Sequence, residues 1–501
     1  MFVKRFFEPM VAQASYLIGC AAAGEAIVID PNRDVDQYIR AAAQENLRIA
    51  YVTETHIHAD YVSGSRELAH RTGARLCLSD EGDADWKYQF PELGEGTPKG
   101  VPYDQGVPYE TRLLHHGDRL TLGNVRVDVV HTPGHTPEHL TFLITDGAAA
   151  DLPIAAVTGD FIFVGDVGRP DLLERAANIR GTMESSARAL WKSLKGFDQY
   201  PDWLQIWPGH GAGSACGKGI SAIPHSTLGY ERRFNWAFKM KSEAEFVESV
   251  LAGQPEPPKY FATMKRVNKE GPAILGGFRV PPRVDDRDLI GLIGEPNRLV
   301  VDTRPAGEFA VEHLPGTLNI PLNSAFVTWA GWLVPYSADL YLIADEATAS
   351  RMEDVVRSLA LIGIDRVAGY AGVSAIGYAA NHGAPLATVN QITPEALAAR
   401  IAAQDVSVID VRNASEWVEG HLPAARHIPL GHLTDRVAEI ARDKPVIVQC
   451  QTGARSAIAA SVLQRLGVAN VMNLVGGYSA WRGEGLPVVG KSAHEAETTR
   501  A

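Results

Sequence analysis

The sequence predicts a multi-domain α/β protein from three observations: its length, an internal repeat in its C-terminal half, and a series of strand ends bearing histidine or aspartate in its N-terminal half. At 501 residues the chain exceeds what one core serves and suggests about three domains. A content of 46% hydrophobic and 21% charged residues is that of a globular protein and speaks against a disordered chain, collagen or a membrane bundle. The net charge of −12 supplies no basic field to collect phosphates, so nucleic acid is not an expected partner.

The repeat is read directly. Val301-Asp302-Thr303-Arg304, Glu308, His313-Leu314-Pro315-Gly316 and Asn319-Ile320-Pro321-Leu322 recur at one constant offset. The second set is Ile409-Asp410-Val411-Arg412, Glu416, His421-Leu422-Pro423-Ala424 and His427-Ile428-Pro429-Leu430. Each set is followed by a buried strand, Leu340 to Ala344 or Val446 to Cys450, then an apolar helical stretch and a glycine turn. Strands alternating with helices make an open parallel sheet, whose chemistry sits where strands end and helices begin. Two tandem α/β domains are therefore expected at 284–386 and 391–490, with a tail at 491–501. Ahead of them lies a different unit, 1–245, joined through a Pro- and Gly-rich linker, 246–283.

In that first unit, the strand Ile49 to Thr53 runs into Thr55-His56-Ile57-His58-Ala59-Asp60-Tyr61. Later strands run into Pro133-Gly134-His135-Thr136, Gly159-Asp160 and Pro208-Gly209-His210-Gly211. Histidines two apart beyond a strand point the same way, and four strand ends deliver imidazole or carboxylate. By residue type, His56, His58 and His135 suit a three-histidine zinc site. His56, His135 and Asp160 suit instead a two-histidine, one-carboxylate triad with open positions on Fe(II). Arg169 and Asp171 read as a charge pair bracing a loop. His115, His116 and His139 read as neighbours in sequence only.

The joint pattern resembles the metallo-β-lactamase superfamily, which implies an αββα sandwich with metal at its edge. The fuller motif of that superfamily has a histidine where this chain has Tyr61, which implies one strong metal site, with His58, Asp60 and His210 left as a weak second site or as supports. The run through Gly168-Arg169-Pro170-Asp171 is similar to the persulfide dioxygenase branch. That resemblance selects the triad His56, His135 and Asp160, with one Fe(II) per chain; Zn(II) hydrolysis of the glyoxalase II type is the alternative. Cys216 follows His210 in a glycine-rich stretch and is a candidate for handling substrate; a small buried residue on a tight turn reads equally well.

In the last domain, the strand Val446 to Gln449 ends in Cys450-Gln451-Thr452-Gly453-Ala454-Arg455-Ser456 at the start of a helix. Backbone amides and Arg455 there favour a thiolate. The Cys-x4-Arg spacing is tighter than the Cys-x5-Arg of cysteine phosphatases, and it resembles the rhodaneses. The resemblance implies Cys450 as sulfur-accepting nucleophile and Arg455 as its charge partner. It also implies Gln451, Thr452, Gly453, Ala454 and Ser456 as the cradle. The first copy has Ala344 and Ala349 at the matching places, with Asp345 and Glu346 between them. It is expected to be inactive, a spacer or dimerisation surface.

Together these resemblances imply a fused persulfide dioxygenase and sulfurtransferase acting on a low-molecular-weight thiol persulfide, O2 and sulfite or thiosulfate; a non-enzymatic sulfur carrier in which only Cys450 matters is a further alternative. The four cysteines, Cys20, Cys77, Cys216 and Cys450, form no disulfide or zinc-knuckle spacing and suggest a reducing, cytoplasmic setting. Leu17-Ile18-Gly19-Cys20 imitates a lipoprotein cleavage site, but Glu8, Pro9 and Gln13 interrupt the stretch ahead of it. No membrane partner is expected, and the tandem copies favour assembly into a dimer or tetramer.

Overall fold

The computed structural model describes residues 1–90, 109–172 and 181–490. The chain forms two compact units. The first holds Met1–Phe278 together with Arg357–Gly363, and the second holds Arg279–Val356 with Ile364 onward. The expected tail, 491–501, lies outside the described residues. The expected linker, 246–283, is more ordered than its prolines and glycines suggest. Glu243–Leu251 and Tyr260–Glu270 are helices, and the stretch as far as Phe278 belongs to the first unit. The prolines at 255, 257 and 258 fall between those helices, where no backbone N–H is needed for a helical bond.

Two six-stranded sheets build the first unit. One orders Phe2–Glu8, Gln13–Cys20, Glu25–Ile29, Arg48–Thr53, Arg75–Ser79 and Thr111–Leu114. The other orders Ser226–Thr227, Gln205–Pro208, Ala155–Gly159, Leu140–Asp146, Val125–His131 and Arg119–Leu122. Val125–His131 alternates buried and half-buried residues, as a strand with one covered face does, whereas Gln13–Cys20 is buried on both faces. Tyr16, Ile18, Ile27 and Ile29 of one sheet pack with Val127, Phe142, Ile144 and Val157 of the other in a shared core. Helices cover both outer faces: Asp36–Gln44 and Ser65–Thr72 lie over the first sheet, and Met183–Gly196 and Glu243–Leu251 over the second. This is the expected αββα sandwich.

The second unit holds two parallel sheets. The first copy orders Leu318–Asn319, Arg298–Asp302, Asp339–Ala344 and Val367–Gly372. The second orders Asn390–Ile392, Val471–Leu474, Val446–Gln449, Ser407–Asp410 and Ala425–His427. Asp302 pairs with Ile343, and Asp410 with Gln449, so the next residues along, Ala344 and Cys450, hold equivalent places. Among the described residues no helix is long and apolar enough to cross a membrane.

Candidate active sites

The strand Arg48–Thr53 delivers His56, Val125–His131 leads to His135, and Ala155–Gly159 ends beside Asp160. Their ligand atoms converge within 4.8 Å of one another, and all three residues are buried. His56 Nε2 lies 3.8 Å, and His135 Nε2 3.5 Å, from Asp160 Oδ2. Asp160 Oδ2 is buried without a hydrogen-bond partner, an atom whose burial is costly unless something meets it. A cation bridging the two imidazoles and this oxygen satisfies all three, so the residues fit a metal ion.

The surrounding residues orient the ligands. Thr55 Oγ1 donates to Asp30 Oδ2 at 2.9 Å and therefore accepts from His56 Nδ1–H, also at 2.9 Å. His135 Nδ1–H donates to the Arg169 carbonyl at 3.1 Å. Both histidines thus keep the Nε2 lone pair for a metal. Burial, reinforced for His56 by neighbouring histidines, holds both imidazoles below their ordinary pKa and favours the neutral ligand form.

His58 does not join this group. Its Nε2 lies 3.1 Å from both Asp30 Oδ1 and Glu54 Oε2, in a second buried cluster. Burial opposes its protonation, but the two carboxylates outweigh burial and hold it well above its ordinary pKa. Among the described residues His58 is therefore grouped with Asp30 and Glu54, while its ring stays 4.1 Å from that of His56 between centres. His210 is likewise engaged at both nitrogens, with Asp160 Oδ1 and Asp60 Oδ2 each at 2.6 Å. Burial pulls its pKa down, and the flanking carboxylates push it up to about 10. Asp60, His210 and Cys216 form a further buried group beside the triad, with ligand atoms within 4.8 Å of one another. Asp160, although buried, is held well below the usual carboxylate range by His210 and His135.

Cys216 is buried, and its sulfur lies within 4.8 Å of ligand atoms of Asp60 and His210. Burial, with Asp60 and Asp160 nearby, pushes the thiol well above its ordinary pKa, so it stands there as S–H. Arg169 grips Asp171 with two hydrogen bonds and also donates to the carbonyls of Ala215 and Pro255, bracing the loop that carries Cys216.

His139 corrects the sequence reading. It is buried, stacks on His56 at 5.1 Å between ring centres, and accepts the Asp160 N–H at Nε2. Gly159 explains the close fit: its φ is +50°, and a Cβ there would lie 2.4 Å from Thr55 Oγ1 and 2.8 Å from His139 Nε2. His139 lies four residues after His135. That short spacing, leading into a buried strand, is the only sequence signal for it.

At the second site, the strand Val446–Gln449 ends in Cys450, 1% exposed. Gly453, at φ +99°, turns the chain so that its N–H donates to Cys450 Sγ at 3.2 Å. Ser456 Oγ lies 3.4 Å from the same sulfur. The side chain of Gln451 faces elsewhere, with Nε2 donating to Ser479 Oγ and Oε1 accepting from Arg412. Thr452 and Ala454 form the rim of the loop, where a cavity begins. Arg455 does not turn to the thiol. It makes a two-pronged contact with Glu416, at 2.7 and 2.6 Å. A guanidinium matches a carboxylate better than a single sulfur, and Glu416 is set in place by its capping box with Asn413. The charge of Arg455 still acts on Cys450 through space, as a charge partner does without direct contact.

Two histidines and an aspartate that could hold a metal ion thus meet at strand ends of an αββα sandwich. The metallo-beta-lactamase superfamily pattern matches residues 10–210, and the rhodanese-like domain pattern matches 393–484. A protein named "probable metallo-hydrolase" from Burkholderia pseudomallei (strain 1710b) is 32% identical over 226 residues, 42% of this chain and 72% of that protein. The chain belongs to the metallo-beta-lactamase superfamily and carries a rhodanese-like domain near its C-terminus. A sulfurtransferase of Allochromatium vinosum is 39% identical over 102 residues, 20% of this chain and 95% of that protein. A solved metallo-beta-lactamase of Staphylococcus aureus subsp. aureus COL is 40% identical with a TM-score of 0.63, covering 74% of this chain and 99% of that structure.

Proposed function

We propose that this chain oxidises a low-molecular-weight thiol persulfide with O2 in its first unit and moves sulfane sulfur through Cys450 in its second. The observation that supports this reading best is the buried triad of His56, His135 and Asp160, with His58 held apart by Asp30 and Glu54. Fe(II) bound by those three residues would supply open positions at which O2 and a persulfide sulfur meet. The overall reaction balances as R–S–SH + O2 + H2O giving R–SH, sulfite and two protons. His210 fixes Asp160 through Oδ1 and leaves Oδ2 for the metal, while His139 positions its backbone. Cys216, braced by Arg169, stands close enough to Asp60 and His210 to guide an incoming sulfur.

In the second unit, Cys450 would carry the outer sulfur as a persulfide. Sulfite attacks that sulfur, the S–S bond to Sγ breaks, and Cys450 leaves as thiolate with thiosulfate as product; the reverse loads the enzyme. The first copy, with Ala344 in the place of Cys450, would not take part covalently.

The deciding experiment is metal analysis of the purified full chain followed by O2 uptake on a low-molecular-weight persulfide. Iron with O2-dependent sulfite is expected, lost at least a hundredfold in Asp160→Asn. Zinc with anaerobic thioester cleavage would establish the hydrolase reading, which the Burkholderia relative's name favours. Function that survives loss of His56 would reduce the chain to a sulfur carrier. Unchanged turnover in Cys216→Ala would remove Cys216 from substrate handling.

A further inference from the structure

Two cavities flank the Cys450 loop, and residues of the first copy wall both. One, of about 590 Å3, is lined by Asp345 of the first copy and Arg455 of the second. The other, of about 730 Å3, has the loop residues Thr452, Gly453 and Ala454 at one side and the helix Ala306–Val311 of the first copy at the other. The two differ in charge. No Lys, Arg, Asp or Glu lines the larger cavity, and most of its wall is apolar. A free anion gains nothing from such a wall, whereas an uncharged organic group loses no hydration of charge on entering it.

Two features add polarity without charge. Asn473 lines the cavity, and its Oδ1 is buried with no hydrogen-bond partner among the described residues. Its amide nitrogen is already committed to Gln391 Oε1 at 3.1 Å, so the remaining oxygen is an acceptor waiting for an N–H. Asn390 and Gln391, also in the wall, lie on the edge strand Asn390–Ile392, which pairs on one side only, with Val471–Leu474. An open strand edge offers backbone donors and acceptors at the spacing of an extended amide chain.

We infer that the larger cavity binds the organic arm of the thiol that exchanges sulfur with Cys450, and that this arm is extended, uncharged and amide-bearing. The first copy is then a substrate wall and not a spacer. The inference rests on the sulfurtransferase reading above and names the carrier for that site. In the transfer step the thiolate sulfur of the carrier attacks the outer sulfur of the Cys450 persulfide. A new S–S bond forms on the carrier, the bond to Sγ breaks with its electron pair passing to Sγ, and one thiolate replaces another with no net oxidation.

Gly307 supplies the test. It stands on the first-copy helix in the cavity wall, and a Cβ built there meets nothing within 4 Å, so Gly307→Trp has room to leave the backbone and adds bulk at the wall. Val311→Trp, at a side chain 72% exposed, obstructs the cavity from the other end of that helix. The full-length protein is loaded with sulfur and its Cys450 persulfide verified by intact mass. Transfer is then timed to pantetheine, which has an uncharged arm with two amides, and to sulfite, which has no arm. Both variants are expected to slow transfer to pantetheine about tenfold or more while transfer to sulfite stays within about twofold. Equal loss with both acceptors, or no loss with pantetheine, overturns the inference. Absence of the persulfide in the unaltered protein overturns the sulfurtransferase reading itself, and the inference with it.

Discussion

The two α/β copies of the second unit share a buried clasp and differ in the loop beside it. In the first, Arg304 Nε lies 3.1 Å from both oxygens of Asp302, and an Arg304 amino group lies 2.7 Å from Oδ2. In the second, Arg412 meets Asp410 with the same three distances. Each arginine also donates to the carbonyl at the end of the following helix, that of Glu312 or Gly420. A histidine stacks on an aromatic ring in both, His313 on Phe309 and His421 on Trp417. One strand away the likeness stops. After Ala344, Asp345 caps a four-residue helix by accepting the Thr348 N–H. After Cys450, Gly453 folds the chain around sulfur. The sheet requires the clasp, so both copies keep it; only chemistry requires the loop, so one copy is free to change it.

The largest expected effect tests the loop half of that comparison. Cys450→Ser is expected to lower sulfur transfer at least a thousandfold and to abolish persulfide on the chain, read by intact mass. Its mirror, Ala344→Cys, adds a thiol at the equivalent place. It should gain no transfer above background in the Cys450→Ser chain, because Asp345 and Glu346 follow it and no glycine turns an amide toward the sulfur. Activity appearing in that double variant would show that the scaffold alone confers the chemistry.

The clasp half is tested by Asp302→Asn and Asp410→Asn. Each strands a buried arginine, at a cost of about 3 kcal/mol, roughly a hundredfold in the folding equilibrium of its copy. Hydrogen exchange in the strands Arg298–Asp302 and Ser407–Asp410 should report losses of similar size. Transfer assayed on the folded protein should fall further in Asp410→Asn, since Arg412 also holds Gln451 of the active loop.

These contrasts also mark how far the sequence reaches. The repeat, the strand ends and the thiol loop are legible because each is a contiguous string with a physical period or a turn residue. What stays hidden depends on partners distant in sequence. The strand end at Asp30 takes His58 away from the triad. Glu416, thirty-nine positions from Arg455, holds the guanidinium in place, a contact no spacing announces. His210 follows a proline-glycine turn as a metal ligand does, and only the fold shows that it stands between the carboxylates of Asp60 and Asp160. No spacing rule encodes which of two nearby acids a histidine will face.

Glu416 and its counterpart Glu308 give a finer contrast. Among the described residues Glu308 has no ion pair, and the place of Arg455 in its copy is taken by Ala349. Glu416→Gln removes the charge that fixes Arg455 and should slow transfer about tenfold, the scale of a modest misplacement near a reacting atom. Glu308→Gln should leave the rate unchanged.

The smallest effect is a pH dependence confined to one copy. Burial raises the Glu416 carboxyl, but the hydrogen bonds from Arg455 and the Asn413 amide outweigh it and hold the pKa below the ordinary 4.5. A depressed carboxylate binds fewer protons folded than unfolded, so its contribution is complete above pH 4.5 and is lost as pH falls through the lower folded value. The side chain is 26% exposed, so solvent screening limits the contribution to about 1 kcal/mol or less. Hydrogen exchange, corrected for intrinsic rates, should therefore show protection of the helix Ala414–Glu419 falling below about pH 4.5, with no such fall in Ala306–Val311. Glu416→Gln should flatten the difference. If both helices lose protection together in the unaltered chain, the pair with Arg455 does not distinguish the copies, and the divergence between them reduces to the thiol and its glycine turn.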